Sequence, residues 1–183
     1  MSLLDIQPVV LVTGISGAGK STVSNLLASR FACGVHIKGD VFRRMVVSGR
    51  EEMSATPSKE ALRQLQLRYR LAAMTADAYH EAGFSVVLQD IAIGSLLTEY
   101  VGLIRSRPLV LVVLAPRADV VATRESARSK SAYQAGAPEA TDWDSALRRE
   151  TPKIGMWIDS SEQEAPETVQ AIIDQAPELG QIK

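Results

Sequence analysis

The chain has a single cysteine among 183 residues, Cys33, so no internal disulfide can form. It lacks any apolar run near the ~20 residues that a membrane-crossing helix needs; the longest stretches, such as 108–115, stop far short. Asp5 and Gln7 interrupt the start where a secretory signal would be apolar, so a cytoplasmic protein is expected. No block of basic residues occurs, Lys and Arg (20) nearly balance Asp and Glu (21), and aromatic residues make up only 5%. There is therefore no bulk electrostatic drive towards nucleic acid or a membrane, and no basic stripe interleaved with stacking aromatics. Internal repeats and low-complexity segments are also missing. What remains is a chain with 46% hydrophobic residues, enough for one domain with a full core, and a composition that favours small-molecule chemistry.

The segment Gly14-Ile15-Ser16-Gly17-Ala18-Gly19-Lys20-Ser21 fits the pattern G-x-x-x-x-G-K-S/T. A continuous apolar run, 9–12, precedes it, and apolar residues at helical spacing follow it, so strand, glycine loop and helix come in the order the motif requires. Gly14, Gly17 and Gly19 let the backbone approach a ligand closely, and with Ser16 and Ala18 they form a cradle of N–H groups for phosphate oxygens. Lys20 is placed to put its charge on β and γ phosphates, the Ser21 hydroxyl to ligate Mg²⁺, and Thr22 to neighbour the α phosphate. The motif predicts binding of a nucleoside triphosphate.

Further strands are expected at 34–37, 84–88, 109–114 and 155–159, with helices at 41–47, 59–82, 95–104, 118–129, 144–150 and 165–175. In the long helix, Leu62, Leu65, Tyr69, Ala72, Ala76 and Tyr79 share the expected inward face. The stretch 129–142, with Gly136 and Pro138, is too long for a minimal connection and reads as a lid. Five strands alternating with helices predict a single α/β domain over 1–183: a parallel sheet covered on both faces, with ligands at the carboxyl ends of its strands.

The glycine loop, the acid in Lys38-Gly39-Asp40 and the arginines of Arg124-Glu125-Ser126-Ala127-Arg128 together resemble the P-loop small-molecule kinases, a group including gluconate kinases, adenylate kinase-like enzymes and chloramphenicol phosphotransferase. The chloramphenicol phosphotransferase-like subgroup is the most similar, through Val86-Val87-Leu88-Gln89-Asp90-Ile91 and the Arg124 to Arg128 stretch. The likeness spans roughly 9–173. It implies a P-loop NTPase three-layer sandwich with a five-stranded parallel sheet of order 2-3-1-4-5, an adenine pocket near the last strand, and transfer of a phosphoryl group from ATP to a hydroxyl with Mg²⁺. The chain departs from that subgroup in having Gln89 before Asp90 where the subgroup has two consecutive acids. Residues 42–79, which should line the acceptor site, match no known acceptor pocket, so chloramphenicol does not follow as the acceptor.

Asp40, at the end of the second strand, is the first candidate for the carboxylate that takes the acceptor's proton, and it also suits a helix N-cap. Asp90 ends an apolar strand in the manner of an acid that holds Mg²⁺; it is also a possible base, or an acid that simply opens a loop. Arg124 and Arg128 are four residues apart on one helix face and could clamp the nucleotide, with Arg128 at the transferring phosphate; both also suit a solvated face. Lys130 is a weaker lid candidate. Arg43 and Arg44 would suit an anionic acceptor or solvent alike. His36, His80 and Cys33 lack metal-ligand spacing and read as structural, so no zinc is expected. Trp157 is expected in the core beside the adenine pocket and Trp143 at the lid's end. The leading expectation is an ATP-dependent kinase of a small hydroxylated molecule, as monomer or homodimer. The competing one is a nucleotide-binding ATPase or switch acting on a protein partner.

Overall fold

Two apolar runs, Val9–Thr13 and Leu109–Leu114, are buried at every position, which requires both faces of their sheet to be covered. The computed structural model describes residues 2–54, 56–126 and 140–182 and shows the covering. In chain order the elements are β1 (Val9–Thr13), α1 (Lys20–Ala28), β2 (Gly34–Lys38), α2 (Asp40–Arg44), α3 (Lys59–Glu81), β3 (Ser85–Gln89), α4 (Ser95–Leu103), β4 (Leu109–Leu114), α5 (Ala118–Ser126), α6 (Ala140–Glu150), β5 (Met156–Ile158), α7 (Ala165–Leu179) and β6 (Gln181–Ile182). Five parallel strands run in the order β2-β3-β1-β4-β5. Helices lie on both faces, with α1 packed on α7 and α3 on α4. The three-layer α/β sandwich and its strand order are as the sequence and its resemblance imply.

Local differences have physical reasons. A sixth strand, β6, pairs antiparallel with β4 through Leu109 and Val110. On α3, Tyr69, Ala72 and Ala76 are buried as expected, but Leu62 and Tyr79 are 36% and 42% exposed. The 23-residue helix is about 34 Å long, while a five-residue strand covers about 17 Å, so both ends of the helix overhang the sheet.

The far end of α3 carries a buried carboxylate, Asp77. It accepts hydrogen bonds from the Arg105 and Ser106 N–H groups at 3.1 and 2.9 Å and from the Ser106 hydroxyl at 2.7 Å, fixing the turn that enters β4. Burial pushes its carboxyl up, but the bonds from Ser106 and Arg105 outweigh burial and hold it below the usual range. Asp77→Ala is expected to lower stability by about 1–3 kcal/mol, because it takes the acceptor away from two part-buried N–H groups. A depressed carboxyl stabilises above its unfolded pKa and loses that contribution as pH falls through the folded value. The gap between variant and wild type in urea midpoint should therefore close in acid.

Candidate active site

All five parallel strands end at one edge of the sheet, which collects the 14–19 loop after β1, Gly39 and Asp40 after β2, Asp90 after β3, Ala115 after β4 and Asp159 after β5. The loop is wedged in place. Gly14, Gly17 and Gly19 all have positive φ (143°, 79° and 92°). A Cβ on Gly14 would overlap the Leu114 carbonyl oxygen, and one on Gly17 would lie 2.8 Å from Val121 and 2.9 Å from Glu125. Ser16 Oγ donates to the buried Glu125 carboxylate at 3.0 Å, tying the loop to α5. Lys20 Nζ is buried and donates to the carbonyls of Gly14 and Ile15 at 2.9 and 2.7 Å. The first helical residue of α1 is Lys20, and no side chain caps that helix, so its first N–H groups and the ammonium together suit an anion. Ser21 and Thr22 line an open groove of about 670 Å³ with Asn25, Lys38 and Pro166. Arg124 reaches the same region: its Nη1 lies 4.0 Å from where a Gly19 Cβ would stand, and its Nη2 donates to the Ser160 carbonyl at 3.0 Å.

Across the edge lie the two acids. Asp40 is the first residue of α2, which Gly39 caps without a side-chain bond, so its carboxylate does not serve as the N-cap. That carboxylate instead receives Arg43 Nε and Arg44 Nε, each at 2.8 Å. Burial pushes its pKa up, but the Arg43 bond and the charges of Arg43, Arg44 and Arg68 outweigh burial and hold it below the usual carboxylate range. Asp90 is buried and pairs with Arg68 of α3 through Nε and Nη2, the Nε to Oδ2 contact being 3.0 Å, while Oδ1 also accepts the Ile91 N–H at 2.8 Å. Its carboxylate lies so close to Gly39 that a Cβ there would overlap Oδ2. Tyr69, next to Arg68, donates to the Ile91 carbonyl at 2.6 Å and stacks on Tyr100 at 4.2 Å, fixing this corner.

The residue that meets Ser21 is Gln89. Its Nε2 donates to Ser21 Oγ at 2.9 Å and its Oε1 pairs with His36 Nε2 at 2.8 Å. Successive strand residues face opposite sides of a sheet, so Gln89 reaches α1 while Asp90 reaches α3: Asp90, expected from the sequence as an acid that holds Mg²⁺, is paired with Arg68, and the side chain that meets Ser21 is Gln89. His36, read from the sequence as structural, takes part in this set of hydrogen bonds. Burial lowers its pKa and Lys38 adds to that, with the Gln89 bond opposing, so the ring is neutral at pH 7.

Sequence reasoning also passed over Arg68, Glu125 and Arg148. Arg148 donates to the Ala115 and Pro116 carbonyls, both at 3.0 Å, and pairs with Asp144, joining α6 to the end of β4. The clearest signal available was Gln89 itself, standing where the resembled subgroup has an acid. Arg128, Lys130 and residues 129–139 of the expected lid lie outside the described residues; residues 140–142 open α6.

A family profile described as an AAA domain matches residues 9–152. Solved structures of the same fold include a sugar kinase from Janibacter sp. HTCC2649 (21% identity, 96% of this chain and 99% of that one, TM-score 0.63). They also include the tunicamycin resistance protein of Deinococcus radiodurans (15%, 97% and 99%, TM-score 0.66) and a gluconokinase from Sinorhizobium meliloti 1021 (17%, 95% and 94%, TM-score 0.61). No curated protein matches the chain by sequence.

Proposed function

The chain belongs to the AAA-domain family, and from that premise we propose that it is an ATP-dependent phosphotransferase acting on a hydroxyl of a small molecule. The observation that carries this reading is the convergence, at one sheet edge, of a nucleotide cradle and a separate ionised carboxylate, Asp40, held among three arginines. Asp40 stands apart from the phosphate loop, at the end of β2, where it can take the proton of a hydroxyl brought in beside the nucleotide. That several proteins of this fold are described as kinases of small molecules supports the same reading.

In this reading the N–H groups of the 14–19 loop and Lys20 bind the β and γ phosphates of ATP. Lys20 leaves its loop carbonyls to do so. Ser21, with Gln89 beside it, offers neutral oxygen chemistry that fits Mg²⁺, and bound Mg²⁺ would neutralise charge on the phosphates. Thr22 neighbours the α phosphate and Arg124 braces the nucleotide against the segment after β5. Asp40 accepts the proton of the acceptor hydroxyl as its oxygen bonds the γ phosphorus and the bond to the β–γ bridging oxygen breaks, releasing ADP. Asp90 holds Arg68 in the acceptor corner. Arg128 is proposed for the transferring phosphate.

Coupled ADP release measured across sugars, nucleosides, aminocyclitols, pantothenate-like alcohols and hydroxylated antibiotics tests the proposal. At least one should raise ADP release above the ATP-only rate and leave as a phosphorylated product. ATP hydrolysis stimulated by a protein and by no alcohol would overturn it in favour of the switch.

A further inference from the structure

We infer that Gln89, oriented by His36, is the residue that sets the metal side of the nucleotide site through the Ser21 hydroxyl, in place of a strand-end carboxylate. The inference rests on the phosphotransfer reading and names the positioning residues of that same site. Three side chains from three elements form one chain of hydrogen bonds: His36 on β2, Gln89 at the end of β3 and Ser21 on the first turn of α1. The register places them together, since Gln89 pairs with Lys38 on one side and Val12 on the other.

The direction of the bonds follows from what each group can do. A serine hydroxyl has one O–H and two lone pairs, an amide has a donor end and an acceptor end, and a neutral imidazole has one of each. With His36 Nε2–H donating to Gln89 Oε1, the Gln89 NH₂ necessarily faces Ser21 and donates to Oγ. That leaves the Ser21 oxygen one lone pair for a hard cation and turns its O–H elsewhere. In its Nε2–H tautomer His36 holds the amide with the NH₂ towards Ser21; without it, the amide can turn over and present an acceptor.

The charge consequence separates this arrangement from an acid at position 89. A carboxylate there would attract a divalent cation before any nucleotide arrived. The amide adds no charge, and the neighbouring acid, Asp90, is spent on Arg68 on the other face of the sheet. The phosphates must then supply the negative charge of the metal site, so the cation should enter with the nucleotide rather than wait for it.

The test is Mn²⁺ binding read by electron paramagnetic resonance, with and without a non-hydrolysable ATP analogue, on the full chain. Wild type should bind Mn²⁺ only alongside the nucleotide. Gln89→Glu, which keeps the side chain's shape, should bind Mn²⁺ without nucleotide at least ~10-fold more tightly than wild type. Gln89→Ala should weaken Mn²⁺ in the ternary complex by ~10-fold or more, the range for partners that orient a metal ligand, while metal-free nucleotide affinity stays unchanged. His36→Ala should shift it in the same direction, and His36→Asn, which restores a donor, should recover most of the loss. Should Gln89→Ala fail to fold, Gln89→Glu and the His36 pair carry the comparison. If wild type binds the Mn²⁺–nucleotide complex and the Gln89 and His36 variants match it, the inference is overturned and the phosphotransfer reading stands. A loss confined to Asp90→Asn would overturn it equally. A wild type that binds no nucleotide at all overturns both.

Discussion

Lys20→Ala is expected to cut phosphoryl transfer by ~10²–10³ or more, the worth of one preorganised donor aimed at developing charge, while the domain stays folded. The ammonium is buried and donates to two loop carbonyls. Deleting it leaves those carbonyls short of a partner, at a cost of about 1–3 kcal/mol. That is a fraction of the ~5–15 kcal/mol that holds a domain together, and the sheet beneath the loop is buried on both faces independently of Lys20. Circular dichroism melts should therefore remain cooperative, with a lowered midpoint. Calorimetry should show weaker nucleotide binding, since the γ phosphate loses its point charge. Full turnover with unchanged nucleotide affinity would remove Lys20 from the site.

Those parts of the fold that depend on local pattern were legible. The runs 9–12 and 109–114 are uniformly apolar because the strands they belong to are covered on both sides, and Ser58 caps α3 by accepting the Ala61 N–H. The strand order was not in the periodicity; it is a matter of pairing between distant segments and came from the resemblance. β6 had no signal because two residues, Gln181 and Ile182, are too few to show an alternation. α2 stops at Arg44 rather than running to 47, leaving Val47 98% exposed; of this stretch Phe42 packs against the core while Val41 and Met45 are exposed.

The site divides in the same way. The glycine loop is legible because its residues are consecutive in the chain and Gly14, Gly17 and Gly19 answer a steric demand within one loop. The acid corner is not, because its meaning depends on which face each strand-end residue takes and on partners far away in sequence. Asp90 meets Arg68, 22 positions earlier, and Ser16 meets Glu125, 109 positions later. Neighbours in sequence, Gln89 and Asp90 part company in space, so a one-residue difference decides whether Ser21 meets an amide or a carboxylate. The partner of His36 was hidden for the same reason: it is Gln89, 53 residues on.

Asp40→Asn is expected to lower acceptor phosphorylation by ~10²–10⁴, the usual worth of a positioned base, with nucleotide binding changed only a few-fold. Asn keeps the shape and accepts a hydrogen bond, but it does not take the proton. Folding does not confuse the result: Gly39, not Asp40, stands at the N-cap of α2, and the pairs with Arg43 and Arg44 lie near the surface, where such pairs are worth about 0–1 kcal/mol. The pH dependence gives an independent check. Arg43, Arg44 and Arg68 hold the Asp40 carboxyl below its ordinary value against the opposing effect of burial, so the base is ionised at neutral pH and remains so into mild acid. Wild-type kcat/KM should fall only as the pH drops through that lowered pKa, and the Asn variant should lose this acid limb along with most of the rate. Asp90→Asn behaves differently, because breaking the buried pair with Arg68 destabilises the domain by about 3–5 kcal/mol and lowers its melting midpoint. An Asp40→Asn enzyme that phosphorylates the acceptor at the wild-type rate, with its acid limb intact, would take the proton transfer away from Asp40.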